Sequence, residues 1–345
     1  MIQVNVNRHN NYFLSALLIA LVVLGMTGCR TVAPSAAATA AQPQATAVPT
    51  GAPQMPQGLG GLGGGSFASV APTEKDLAYA SLSAAEKLDL YKPTTGNGPF
   101  PVVVMIHGGA FMFGDKADGG GLAGVDQLLA AGYAVASLNY RLSGEAKYPA
   151  QIEDAKAAVR FLRANAAKYN LDPDKFAVFG ASAGGNLASL LGTTCGVAAL
   201  EGADLGNADQ SSCVQAVVDW FGPIDFLKMD EQFAGTSCAA NHNDASSPES
   251  QLVGAPIQSV PDLVKTTNPT NYITDKAPAF LIQNGSADCN IPPVQSKNFA
   301  DALSAVIGAD KVRYVLIDGA GHGGPQFGTD ANLALVTAFL DKYLK

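Results

Sequence analysis

The sequence predicts an α/β fold, a mostly parallel central sheet with helices on both faces and a loop or cap insertion, and three observations predict it. Strand-length apolar runs without polar alternation, such as residues 102–106 and 176–179, recur along the chain, as expected of strands buried on both faces. A stretch of helical periodicity follows most of them, which is the βαβ rhythm. With 345 residues, 48% hydrophobic and 14% charged, the chain has the material for one large core.

The elements follow in order. Residues 1–29 read as an export signal, in which Arg8 precedes an apolar run over 13–24 that is shorter than a membrane span. The segment ends in Met26-Thr27-Gly28-Cys29, similar to the lipobox of bacterial lipoproteins, whose cysteine is lipidated. Cys29 is therefore the expected lipid anchor to a membrane, and the mature protein is expected outside the cytoplasm, as a bacterial lipoprotein or a secreted protein. Residues 30–70 are rich in Ala, Pro, Thr and Gly without hydrophobic periodicity and read as a flexible tether. The folded domain is expected over 71–345.

Within it, strands are predicted at 76–81, 87–91, 102–106, 134–139, 176–179, 214–221, 279–283 and 312–317. Helices are predicted at 126–131, 151–169, 185–191, 294–304 and 332–344, with Asn170 as the stop signal of the second. Residues 222–278 break this rhythm: they are long, polar and carry Pro223, Pro248, Pro256, Pro261 and Pro269. A segment of that kind inside a compact domain reads as a functional loop or cap, and no helices are placed in it.

Four cysteines remain besides Cys29: Cys195, Cys213, Cys238 and Cys289. In an oxidising compartment an even count suggests disulfides, of which four cysteines allow three pairings. Cys195 with Cys213 would close a short excursion and Cys238 with Cys289 would tether two loops; four free thiols are the competing reading. A net charge of −8 without a Lys/Arg cluster argues against a nucleic-acid partner. Only His9, His107, His242 and His322 are present, with no HExxH and no Cys-x-x-Cys, so no metal or other cofactor is expected. Asp230, Asp244 and Glu249 read as solvated loop carboxylates, with metal ligation as the alternative.

The chemistry centres on Gly180-Ala181-Ser182-Ala183-Gly184, between a predicted strand and a predicted helix. A serine on such a turn is the nucleophile elbow of α/β-hydrolases. Acyl transfer by serine further requires oxyanion donors, a base and an acid that orients the base. His107-Gly108-Gly109-Ala110-Phe111 directly follows the strand at 102–106, where an HGG-type oxyanion loop belongs. Its Gly108 and Gly109 N–H groups, with that of Ala183 and a further contribution from Ala110, are the expected donors; His107 reads as a structural hydrogen-bonder.

In this fold the order is Ser, acid, His. His322, in a glycine-rich loop after the last strand, is the expected base, whereas His242 lies in a polar stretch and reads as a surface residue. Asp288 and Asp225 both follow a strand end; Asp288 is preferred because its strand immediately precedes the one leading to His322.

From about residue 76 to the C-terminus the chain resembles α/β-hydrolase esterases of the hormone-sensitive-lipase-like group, and within it the bacterial feruloyl-esterase-like (BD-FAE type) carboxylesterases. The matching segments are Leu88-Asp89-Leu90-Tyr91, the oxyanion loop, Asn139-Tyr140-Arg141-Leu142-Ser143, Pro149-Ala150-Gln151-Ile152-Glu153-Asp154, Ser182-Ala183-Gly184-Gly185-Asn186, Asp219-Trp220-Phe221-Gly222-Pro223 and Gly321-His322-Gly323. Two positions depart from the family's pattern: Ala181 stands where Asp is frequent, and Ala110 where a third glycine is frequent. The resemblance implies a serine carboxylesterase acting on short-chain or aromatic acyl esters, carbohydrate-linked ones among them. A serine peptidase of the prolyl-oligopeptidase type would share fold and triad, and a non-catalytic relative would lack a triad member. Oligomeric state is not legible.

Overall fold

The computed structural model describes residues 67–239 and 241–345. The export segment 1–29 with Cys29, and the tether up to residue 66, lie outside the described residues. Eight strands form one sheet: β1 (Glu74–Ala78), β2 (Lys87–Tyr91), β3 (Phe100–Ile106), β4 (Ala134–Leu138), β5 (Leu171–Ala181), β6 (Ala216–Trp220), β7 (Ala279–Gly285) and β8 (Val312–Ile317), in the order β1-β2-β4-β3-β5-β6-β7-β8. The pairs β1–β2 and β2–β4 are antiparallel and every later pair is parallel.

The uninterrupted apolar runs have a direct cause. Along β3, Val102, Val104 and Ile106 enter one core layer and Val103 and Met105 the other, so neither face can carry polar residues. Helices α1 (Val125–Ala130) and α9 (Asp330–Leu344) supply Val125, Leu128, Val336 and Leu340 to the layer holding Val103. The opposite layer takes Ile152 from α2 (Ala150–Ala164), Leu187 from α4 (Ala183–Thr193) and Leu303 from α8 (Pro293–Ile307).

Three differences from the sequence reading have physical reasons. The helix expected over 151–169 is interrupted at Asn165, whose φ of −104° and ψ of 14° leave the helical region, and a short α3 (Ala166–Tyr169) follows; the Phe161 carbonyl accepts from the Asn165 N–H at 3.1 Å and from its side-chain amide at 2.8 Å. Asn170 then terminates α3 in the left-handed region at φ 60°, as its side chain permits. Strand β5 begins at Leu171 rather than near 176, because Leu171 pairs with Phe100 ahead of a register irregularity. Ordered contacts also begin ahead of residue 71: Phe67 packs edge-on against Tyr91, and the Ser69 N–H reaches the Asp126 carboxylate at 3.0 Å.

Among the described residues, 222–278 hold only short pieces: α5 (Met229–Phe233), α6 (Pro248–Val253), α7 (Pro261–Lys265) and three 3-10 turns at Phe226–Lys228, Ile257–Ser259 and Pro269–Tyr272. Phe226, Met229, Leu252 and Ile257 pin the segment to the core. Both expected disulfides form, Cys195–Cys213 and Cys238–Cys289. Among the described residues no helix is long and apolar enough to cross a membrane.

Candidate active site

Ser182 sits on the turn between β5 and α4 with φ 54° and ψ −120°, a strained conformation for a residue with a side chain. Its N–H donates to the Trp220 carbonyl at 2.8 Å and its own carbonyl accepts from Asn186 N–H at 3.1 Å, so the turn is clamped from both sides. The flanking glycines are required by close approach. A Cβ at Gly180 would lie on the Gly184 carbonyl, and one at Gly184 on the Ile106 carbonyl of β3.

His322, on the loop after β8, brings Nε2 to 2.8 Å from Ser182 Oγ. Its Nδ1 lies 2.9 Å from Asp288 Oδ2, which fixes the tautomer with the proton on Nδ1 and leaves Nε2 to accept. Asp288 is 2% exposed; its Oδ1 accepts from the Asn290 and Ile291 N–H groups at 2.8 and 2.9 Å. Asn284 donates to Asp288 Oδ2 at 3.3 Å and is itself held by the Ser296 hydroxyl at 2.8 Å. The Phe221 ring stands against the imidazole at 4.7 Å between centroids. Ser182, His322 and Asp288 are thus joined as the order of the sequence anticipated. Asp225 is not part of this chain: its carboxylate caps a turn by accepting from Leu227 N–H.

The donor set differs from expectation at one position. The Gly108 N–H is already used, donating to the Gly120 carbonyl at 3.0 Å, so Gly108 is not a free donor. Gly120 lies in a turn that the sequence does not connect to Gly108, and the bond is purely tertiary. Gly109, Ala110 and Ala183 N–H groups make no backbone hydrogen bond among the described residues, and Ala183 opens α4, where the helix N-terminus favours negative charge. Ala110 has φ 57°, the conformation that explains why a third glycine is the frequent choice there. His107 is structural, as expected: its Nδ1 donates to the Gly108 carbonyl at 2.7 Å, its ring stacks on Tyr140, and burial lowers its pKa and keeps it neutral.

A cavity of about 330 Å³ opens onto Ser182 and His322. Its lining is part apolar, with Phe111, Ala183, Pro223 and Ile291, and part polar, with Asn241, His242, Glu249 and Asn290. His242 is therefore not a surface residue: it is 9% exposed, beside Glu249 at 3%. Burial works against the charged imidazole, but the Glu249 carboxylate and Asp230 outweigh it and raise the pKa of His242. Neither is Asp230 a solvated loop carboxylate, because its two oxygens accept from the His242 and Asn243 N–H groups. Among the described residues no three His, Cys, Asp or Glu side chains converge as a metal site.

A second cavity of about 320 Å³ lies beside Cys213, Arg160 and Glu201. There the Arg160 guanidinium is consumed by the carbonyls of Glu201, Gly202 and Gly206. The polar residues lining the cavity and the Asn284–Ser296 support were not anticipated from sequence. The signal available was the strand-end position of Asn284, two polar residues before a glycine turn.

Comparison with known proteins places this geometry. The chain is 32% identical over 252 residues to esterase LipC of Mycobacterium tuberculosis, an alignment covering 69% of this chain and 57% of LipC. It thus spans little more than half the length of that curated relative. Among solved structures, it is similar to a truncated carbohydrate esterase from gut microbiota, at 35% identity and a TM-score of 0.72 over 81% of this chain and 99% of that one. It is also similar to part of a bifunctional GH43-CE protein of Bacteroides eggerthii, at 38% identity and a TM-score of 0.68 over 78% of this chain and 35% of that one. Residues 88–303, well over half of the chain and including both the elbow and Asp288, match the BD-FAE family, and the chain belongs to that family of α/β-hydrolases.

Proposed function

We propose that the protein is an exported serine carboxylesterase that cleaves short-chain or aromatic acyl esters of carbohydrates. The observation that carries the reading is the hydrogen-bonded chain from Ser182 Oγ through His322 to Asp288 at the floor of a cavity. Ser182 Oγ attacks the ester carbonyl carbon while His322 Nε2 takes its proton. The carbonyl oxygen becomes an oxyanion that accepts from Gly109, Ala110 and Ala183 N–H groups. Asp288 holds the imidazolium in register. Collapse of the tetrahedral species breaks the ester C–O bond, and the leaving alkoxide takes the proton from Nε2. Water, deprotonated by the same imidazole, then resolves the acyl-enzyme and restores Ser182.

Substrate class rests on three supports. The cavity, about 330 Å³, is at the small end of ligand pockets, which suits a short acyl chain or one aromatic ring. The lining combines apolar and polar residues, and a relative at 35% identity is described as a carbohydrate esterase. Export and anchoring rest on residues 1–29 and Cys29 alone; metabolic labelling with palmitate, lost in Cys29→Ala, tests them.

For the chemistry, a fluorophosphonate added to the purified protein is expected to modify one peptide, the one containing Ser182, at one equivalent. Modification elsewhere, or labelling undiminished in Ser182→Ala, contradicts the reading.

A further inference from the structure

The polar part of the cavity lining holds a pair that the hydrolytic chemistry leaves unused. His242 and Glu249 are both more than nine-tenths buried and both line the space next to Ser182. His242 Nδ1 lies 3.2 Å from Glu249 Oε1, an ion pair that takes up that side of the imidazole and orients the carboxylate. The other carboxylate oxygen, Glu249 Oε2, has no hydrogen-bond partner among the described residues. Buried polar atoms in folded proteins nearly always have partners, and an exception at a cavity wall points to a ligand that supplies one.

The pair is also built to stay in place. The backbone N–H groups of His242 and Asn243 are held by Asp230 at 2.8 and 3.0 Å, and the imidazole stacks on Phe233. Glu249 lies in the first turn of α6, which Ser247 caps through Ser250 N–H. The disulfide between Cys238 and Cys289 ties the His242 loop to the loop of Asp288. Such second contacts are what a precise recognition site requires.

The chemistry of the unfilled positions selects the ligand. A carboxylate oxygen can only accept, so its partner must donate. A simple alkyl or aryl acetate has no hydrogen to donate; the alcohol part of a carbohydrate ester has several. Asn241 and Asn290, which also line the cavity, add amide groups that both donate and accept, which suits adjacent hydroxyls. We infer that Glu249 and His242 form the subsite that binds free hydroxyl groups of a sugar leaving group, and so select carbohydrate esters over esters of simple alcohols. The inference rests on the esterase reading above and adds to it the residues that set alcohol specificity.

The test compares three kinds of substrate on the full-length purified protein: 4-nitrophenyl acetate, the three mono-O-acetyl methyl β-D-xylopyranosides, and the same xylosides with their remaining hydroxyls methylated. Sites that hydrogen-bond a substrate hydroxyl reject the analogue lacking it, so the unmodified protein is expected to favour at least one free xyloside over its methylated form by about tenfold or more in kcat/KM. Glu249→Gln, close in shape, and independently His242→Gln are expected to erase that preference to within about twofold, while the loss on 4-nitrophenyl acetate is at least about fivefold smaller than on the free xyloside.

Cleavage of 4-nitrophenyl acetate without any preference for free over methylated xylosides overturns the inference and leaves the esterase reading intact. Equal losses on all substrates in both variants overturn it as well, because they assign the pair to structure alone. Failure of the unmodified protein to cleave any of the esters overturns the esterase reading itself.

Discussion

Replacing the two cysteine pairs with serine, one pair at a time, separates stability from activity. Cys238 and Cys289 are 51 residues apart and Cys195 and Cys213 are 18 apart. In the chain-entropy account, closing such loops restricts the unfolded chain by about 4 kcal/mol for the longer and about 3 kcal/mol for the shorter. The positions of the bridges differ more than these energies do. Cys289 adjoins Asp288, whose carboxylate is fixed by the Asn290 and Ile291 N–H groups, and Cys238 leads into the segment bearing Asn241 and His242. Cys213 lies at the remote cavity, near Arg160. The double variant of Cys238 and Cys289 is therefore expected to lose stability and, because small misplacements of a catalytic group are costly, about tenfold to a hundredfold in kcat/KM. The double variant of Cys195 and Cys213 is expected to lose stability only. Urea unfolding of each variant, with kinetics on 4-nitrophenyl acetate well below both midpoints, measures the two effects. Equal loss of activity in both variants, or a larger stability loss for the shorter loop, refutes the reasoning.

Three further outcomes follow from the same geometry. Asp288→Asn leaves the shape but no longer enforces the His322 tautomer, so kcat is expected to fall by about 10⁴, whereas Asp225→Asn, which touches only a cap, stays within about threefold by the same assay. In Gly184→Ala the new methyl meets the Ile106 carbonyl, and the displaced elbow is expected to cost about a hundredfold in kcat/KM, checked beside the circular dichroism of the folded protein. Asp219 is fully buried behind the elbow, and burial pushes its pKa from 3.8 to about 6 against the opposing Ser189 and Gly222 hydrogen bonds. The folded state thus holds this proton more tightly than the unfolded state. Its stabilising effect is complete below about pH 4 and is lost as pH rises to about 6, a change of about 3 kcal/mol. Asp219→Asn is expected to remove that component from denaturation profiles measured between pH 4 and 7; an identical profile in the variant counts against it.

The centre of the sheet was readable because it is buried on both faces: residues 102–106 and 176–179 stand out as apolar without any partner being known. The elbow was readable for a related reason, since the close approach of β3 to the turn admits only glycine at 184. The pairing of Ser182 with Asp288 and His322 followed from their order along successive strand ends. What escaped the sequence depends on contacts between distant segments. Nothing local to Gly108 announces that Gly120 will take its N–H. Likewise His242 reads as exposed because its neighbours Asn241, Asn243 and Asp244 are polar; it is buried by Phe233 and Glu249, from helices of one or two turns, too short to show a period. The cysteine spacing was informative where hydrophobicity was not, because both bridges anchor segments with little regular structure.

The central claim is that Ser182, activated by His322, is the nucleophile of an ester hydrolysis. The most direct measurement is kcat/KM for 4-nitrophenyl acetate in the unmodified protein and in Ser182→Ala, purified side by side with matched thermal unfolding. Loss of the nucleophile of such a triad removes on the order of 10⁴-fold or more of the rate, and that is the result expected here. Hydrolysis by Ser182→Ala within tenfold of the unmodified protein would contradict the account.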